Sequence, residues 1–130
     1  MVTVGPHRLA DENVKGVVFD VDGTLLDSMP LFFPSWPRTG ALPQFGLEIS
    51  EDDFYETAGL PLPDMVQTFH MAKKGEPATE EFVTSFIAEK IRLHREDEKV
   101  QGCPPQIPCV VALARAWKAK GVPVAIATSG

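Results

Sequence analysis

The chain has 130 residues, 44% of them hydrophobic and 23% charged, with a formal net charge of −6. That composition is ordinary for a soluble globular protein of one small domain, and the acidic balance argues against nucleic acid or an anionic membrane as a partner. No apolar run approaches the roughly 20 residues that a membrane-spanning helix needs.

The start, M-V-T-V-G-P-H-R, lacks the apolar core of a signal peptide. Residues 1–13 read most simply as a short disordered lead-in. Val17-Val18-Phe19 then form a continuous apolar run, the pattern of a strand covered on both faces as in a parallel sheet. Asp20 falls at its carboxyl end, where open α/β sheets bind ligands. Asp22 follows two residues on, and Gly23 lets the chain turn. Paired carboxylates repel, so one tends to keep its proton unless a cation intervenes, and a hard cation such as Mg²⁺ prefers oxygen ligands. One aspartate as nucleophile and the other as general acid/base is a coherent division of labour. The Asp22-Gly23 pair is also a β-hairpin signal. Against the hairpin stand the continuous rather than alternating first run, the prolines that follow Asp27, and the presence of Asp20, Asp22, Thr24 and Asp27 together.

From about Met29 to Gln106 the pattern is helical, without a convincing alternating strand. Pro34, Pro37 and Pro43 break any regular helix at the start of this stretch. Ser50 can cap a helix through Asp53, with Phe54 and Ala58 inside it. Asp64 can cap a second, with Met65, Val66, Phe69 and Ala72 on its apolar side. Thr79 can cap the longest, where Val83, Phe86, Ile87 and Ile91 repeat at helical spacing, and Glu89, Lys90, Arg92, Arg95 and Glu96 form the solvated face. Aromatic residues spaced as Phe32, Phe33 and Trp36 are read as packing rather than as substrate contacts. Lys99 to Pro108 is a linker by composition.

Cys103 and Cys109 flank that proline-rich segment and have no His or Cys at zinc spacing. A disulfide between them is geometrically possible, but reduced thiols in a cytoplasmic protein are the expectation. His7, His70 and His94 are scattered and read as surface or helix-face residues. Pro108 to Lys120 is a helix with Val110, Leu113, Ala114 and Trp117 on one face and Gly121 past its end. Val122 to Ala127 is a second apolar strand, with Pro123 at its start, and Thr128-Ser129-Gly130 follow. Small residues after a strand suit anion binding through successive backbone N–H groups, although the pattern is also common at plain turns.

The stretch D-V-D-G-T-L-L-D-S resembles the first motif of the haloacid dehalogenase (HAD) superfamily of phosphohydrolases, and A-T-S-G resembles its second. The resemblance covers nearly the whole chain from about Val14. It implies an α/β fold, a Rossmann-like core (incomplete here) with an inserted α-helical cap. The core comprises residues 14–28 and 107–130, the cap residues 29–106. It implies Asp20 as nucleophile and Asp22 as acid/base. Both would be Mg²⁺ ligands, Asp20 through its carboxylate and Asp22 through its main-chain carbonyl. Thr128 and Ser129 would hold the phosphoryl group, together with Gly23 and Thr24 of the first motif. Thr24 and Asp27 also match positions that shape the loop and the hinge into the cap.

Within the superfamily, G-L-E-I-S-E-D-D-F-Y-E-T-A-G-L-P and K-A-K-G-V-P-V-A-I-A-T-S-G look most like the β-phosphoglucomutase and sugar-phosphatase group. That implies a Mg²⁺-dependent phosphatase for a small phosphorylated metabolite, a sugar phosphate in particular. Phe32 and Ser35 stand where that group has a His and an Ala, and no Arg follows Gly59, which favours hydrolysis over mutase chemistry. The superfamily's later Lys or Arg and its acidic motif have no match up to Gly130. The expectation is therefore an amino-terminal part of a longer enzyme, with weak or no turnover, low stability and exposed apolar sheet edges. The alternatives are a non-catalytic fragment or binding protein and, at full length, a sugar-phosphate mutase.

Overall fold

The structure is a computed structural model; it describes residues 2–4, 7–9 and 13–129, the first six as backbone only. The chain forms two compact units: the residues up to Asp27 together with Pro105–Thr128, and Ser28–Pro104.

In the first unit, β1 (Val2–Val4) and β2 (His7–Leu9) pair antiparallel, with Thr3 opposite Arg8. This replaces the disordered lead-in expected for the chain start: short as it is, V-T-V alternates apolar and polar residues as a strand does. β3 (Val17–Phe19) and β4 (Val124–Ile126) form a two-stranded parallel sheet in the register Val17–Val124, Val18–Ala125, Phe19–Ile126. The hairpin reading of Asp22-Gly23 does not hold: residues 24–26 fold back on the Val21 carbonyl and lead into a helix, and among the described residues no strand follows there to pair with β3. The amide of Val17 donates to the carbonyl of Pro123 at 2.9 Å, so Pro123 stands just ahead of the strand, where its missing N–H costs no ladder bond.

α6 (Pro108–Ala119) covers one side of this sheet. Phe19 and Trp117 are buried there, with Val17, Leu113 and Val124 packed on them. β3 was expected to be covered on both faces, yet Val18 is 66% exposed, and its register partner Ala125 on β4 is exposed too. Residues 17 and 19 point toward α6 and residue 18 points away, because strand side chains alternate. Val18 and Ala125, on the face away from α6, are both exposed.

The second unit is helical. α1 (Met29–Phe32) and α2 (Ser35–Gly40) are separated at Phe33-Pro34, where proline withdraws an amide from the helical ladder. The Ser35 hydroxyl takes up the Phe32 carbonyl at 3.0 Å. α3 (Glu51–Thr57) opens with the expected capping box: Ser50 Oγ accepts from the Asp53 amide at 3.1 Å, and the Asp53 carboxylate accepts from the Ser50 amide at 2.9 Å. It ends one residue short of the expectation, with Ala58 exposed at the C-cap and Thr57 buried instead. α4 (Leu62–Lys74) begins two residues before Asp64, because Pro63 fits the first helical turn without needing a donor. Its buried residues are Met65, Val66, Phe69 and His70, while Ala72 is exposed.

α5 (Glu80–Gln101) is capped by Thr79, whose Oγ1 accepts from the Phe82 amide at 3.1 Å. It runs three residues, Lys99 to Gln101, into the segment expected to be linker. Lys90 was placed on its solvated face, but it is buried with its ammonium 5.3 Å from the centre of the Trp36 ring. Its four-carbon stem packs like an aliphatic side chain, which residue-type periodicity does not register. Trp36 is 1% exposed at the centre of this core, edge-on to Phe69 at 5.5 Å, with Phe86 at 5.9 Å.

Gly40 has a close neighbour: a Cβ there would stand 2.0 Å from the Leu47 carbonyl oxygen. The two residues are joined by the Leu47 amide donating to the Gly40 carbonyl at 2.8 Å. Among the described residues no helix is long and apolar enough to cross a membrane.

Candidate active site

The first unit brings the two sequence motifs to one end of one sheet. β3 ends at Phe19 and Asp20 follows. β4 runs parallel beside it, and the Ala127 amide donates to the Phe19 carbonyl at 2.9 Å, continuing the ladder one step beyond Ile126. Asp20 on one strand and Thr128 on the other therefore leave the sheet at the same, carboxyl end. Both are exposed, as a group that meets a ligand from solvent must be.

After Asp20 the chain reverses tightly. The amides of Thr24, Leu25 and Leu26 converge on the Val21 carbonyl at 3.1, 2.9 and 3.0 Å, and the Gly23 amide donates to the Leu26 carbonyl at 2.8 Å. Gly23 has φ +76°, a left-handed conformation that a side chain disfavours. The reversal carries Thr24 back toward the strand end, where its hydroxyl donates to Oδ2 of Asp20 at 3.3 Å. Asp22 is half-buried and bridges to Leu26.

The loop is also pinned from outside. The Asp27 amide donates to the Pro105 carbonyl at 2.8 Å, the Ile107 amide donates to the Leu25 carbonyl at 2.8 Å, and Leu26 bridges antiparallel to Gln106. The catalytic-looking loop is thus held by the residues that lead into α6. Its sequence signal was composition alone: the proline-rich run reads as linker, and nothing in it names a hydrogen-bonding partner.

Of the other candidates, Ser129 is exposed and follows Thr128 in the chain, and Asp27 is exposed at the end of the loop. Cys103 and Cys109 are free thiols, both exposed. His70, expected as a surface or helix-face residue, lies on α4 and is buried, with Nδ1 2.7 Å from the Glu76 carbonyl. His94 Nε2 lies 3.2 Å from Glu98, and its ring meets Phe32 edge-on at 5.2 Å. Phe32 and Trp36 serve packing.

Among the described residues no group of three or more His, Cys, Asp or Glu could hold a metal ion by itself. The oxygen donors at the strand end are the Asp20 carboxylate and the carboxylate and carbonyl of Asp22. A set of one or two carboxylates with room for water suits Mg²⁺, which keeps much of its hydration, better than it suits a softer or more fully wrapped ion.

Comparison with known proteins bears on the family and the fold. The family model for haloacid dehalogenase-like hydrolases matches residues 14–130. The "Putative pyrophosphatase PpaX" of Clostridium perfringens is 26% identical over 116 residues, which cover 89% of this chain and 49% of that protein. A "Putative beta-phosphoglucomutase from Bacteroides vulgatus" superposes with a TM-score of 0.74 at 25% identity, over 90% of this chain and 46% of the other. CbbY from Rhodobacter sphaeroides, in complex with xylulose-(1,5)bisphosphate, superposes with a TM-score of 0.65 at 21% identity, over 90% of this chain and 52% of that one. The chain spans about half the length of these relatives.

Proposed function

The chain belongs to the haloacid dehalogenase-like hydrolase family, and on that footing we propose that it carries the nucleophile, the acid/base and the first phosphate-binding group of a Mg²⁺-dependent phosphomonoester hydrolase. The observation that carries the reading is the β3–β4 register. It sets Asp20 and Thr128 at one carboxyl end of a parallel sheet, the position at which such sheets bind ligands.

In the proposed reaction one Asp20 oxygen attacks the phosphorus and the bond to the leaving oxygen breaks. Asp22, in its acid form, gives that oxygen its proton. Asp22, now a carboxylate, takes a proton from water, which attacks the phosphorus of the aspartyl phosphate, releases inorganic phosphate and restores Asp20. Thr128 donates its hydroxyl, and Ser129 its amide, to the phosphoryl oxygens. Asp20 through its carboxylate and Asp22 through its carbonyl would hold Mg²⁺, which when bound offsets charge on the phosphoryl oxygens. Residues 29–106 serve in this reading as the cap, and the protein works in the cytoplasm.

The proposed substrate is a small phosphorylated metabolite, a sugar phosphate in particular. The relatives' names support that class: a phosphoglucomutase, and a protein solved with a sugar bisphosphate. Phosphate release from a panel of sugar phosphates with Mg²⁺ tests the proposal. It is measured on this chain and on the chain extended by whatever coding sequence follows Gly130. Turnover that Asp20→Asn removes supports the proposal; turnover that survives Asp20→Asn refutes it. A second reading, a catalytically incomplete fragment, draws on the span of about half the relatives' length. It predicts turnover from the extended chain alone.

A further inference from the structure

We propose that Thr24 is a positioning residue that fixes the orientation of the Asp20 carboxylate, rather than a contact to the phosphate. The inference rests on the reading of Asp20 as nucleophile. Its basis is the hydrogen bond that Thr24 Oγ1 donates to Oδ2 of Asp20. Asp20 is exposed, directly past the last residue of a short strand. An exposed aspartate has no packing to select its rotamer, and a carboxylate that swings among rotamers is rarely aligned for in-line attack.

The loop supplies what packing does not. Three amides gathered on the Val21 carbonyl and the left-handed Gly23 bring residue 24 back over residue 20. The hydroxyl engages one carboxylate oxygen, Oδ2. A hydroxyl has one proton to donate. While Thr24 spends it on Asp20, it has none for a phosphoryl oxygen. At 3.3 Å the contact is long for an O–H···O bond, as such contacts often are before substrate arrives.

The test compares the full chain with Thr24→Val and Thr24→Ser. Three-bond couplings to the Asp20 side-chain carboxyl carbon, read by NMR, give its χ1 populations without any need for turnover. The expected result is one dominant rotamer in the parent chain and in Thr24→Ser, and averaging in Thr24→Val. The parent rotamer persisting in a folded Thr24→Val chain overturns the proposal. Loss of the rotamer in a folded Thr24→Ser chain does the same. Should Thr24→Val not fold, Thr24→Ser set against Thr24→Ala decides by the same couplings.

With phosphomonoester substrate, Thr24→Val is expected to lower kcat roughly tenfold with KM within about twofold, and Thr24→Ser to restore most of kcat. A raised KM with unchanged kcat would mean a phosphate contact, against the proposal. Absence of turnover in the parent chain counts against the phosphatase reading of this chain and leaves the rotamer result to decide the role of Thr24.

Discussion

Lys90 offers a quantitative test of the helical unit. Its side chain is 8% exposed on α5, and its ammonium lies over the Trp36 ring. Burial pushes its pKa below the ordinary 10.5, and the charge of Glu98 opposes that shift. Two effects compete when Lys90 is replaced by Met, which keeps a similar stem. The lost cation–π contact is worth about 0.5–2 kcal/mol. The relieved burial of a charge amounts to several kcal/mol, and Glu98, exposed on the helix surface, offsets little of it. Burial is the larger effect, so Lys90→Met should stabilise the unit at pH 7 by about 1 kcal/mol or more.

The pH dependence follows from the same shift. With its folded pKa depressed, Lys90 binds fewer protons in the folded than in the unfolded state between the lowered value and 10.5, so stability rises with pH across that window. The contribution is smallest below the window, and Lys90→Met should therefore gain most at low pH and lose the rising slope. Urea unfolding followed by Trp36 fluorescence, in a Trp117→Phe background that silences the other tryptophan, measures both quantities between pH 6 and 10. A Lys90→Met chain less stable at pH 7, with the parent slope intact, would refute the reasoning.

Gly40→Ala should cost about 3 kcal/mol or more, because the new Cβ meets a backbone carbonyl that cannot rotate away; a denaturation midpoint within error of the parent contradicts the close approach. Ser50→Ala should lower stability by about 0.5–2 kcal/mol through loss of the capping box. The Ser50 hydrogen bonds hold the Asp53 carboxyl below its usual 3.8, so their contribution is present above that value and is lost as pH falls through the lowered one. The largest cause of that shift is the Ser50 backbone amide, which Ser50→Ala keeps, so it is Asp53→Ala whose stability should differ less from the parent's at about pH 2 than at pH 7, which circular dichroism can check.

The elements most legible in the sequence are those whose cause is local. The Ser50 box and the Thr79 cap close within three residues, and α6 shows its apolar stripe at helical spacing, so each could be read from adjacent residues. The family was legible for a related reason: D-V-D-G-T packs an unusual set of groups into five positions. The misreadings share another feature. Lys90 looked solvated because charge is assigned by residue type, whereas its burial depends on where Trp36 arrives from another helix. Val18 looked covered because a continuous apolar run resembles a central strand, whereas coverage depends on which elements lie against it. Asp64 looked like a cap because the preference of Pro63 for the first turn was not weighed.

By itself, then, the sequence determined the chemistry on offer and the helices with local caps: two aspartates, a threonine and small residues at strand ends, and amides satisfied within a few positions. Tertiary structure decided what those groups face. The register that puts Asp20 and Thr128 at one sheet end, the pinning of the loop by Pro105 and Ile107, and the turn of Thr24 onto Asp20 all come from hydrogen bonds that a linear pattern does not encode. For the register and the pinning the reason is entropic. Partners about 80 to 110 residues apart meet only after the chain between them has ordered, so no short window of sequence contains the information.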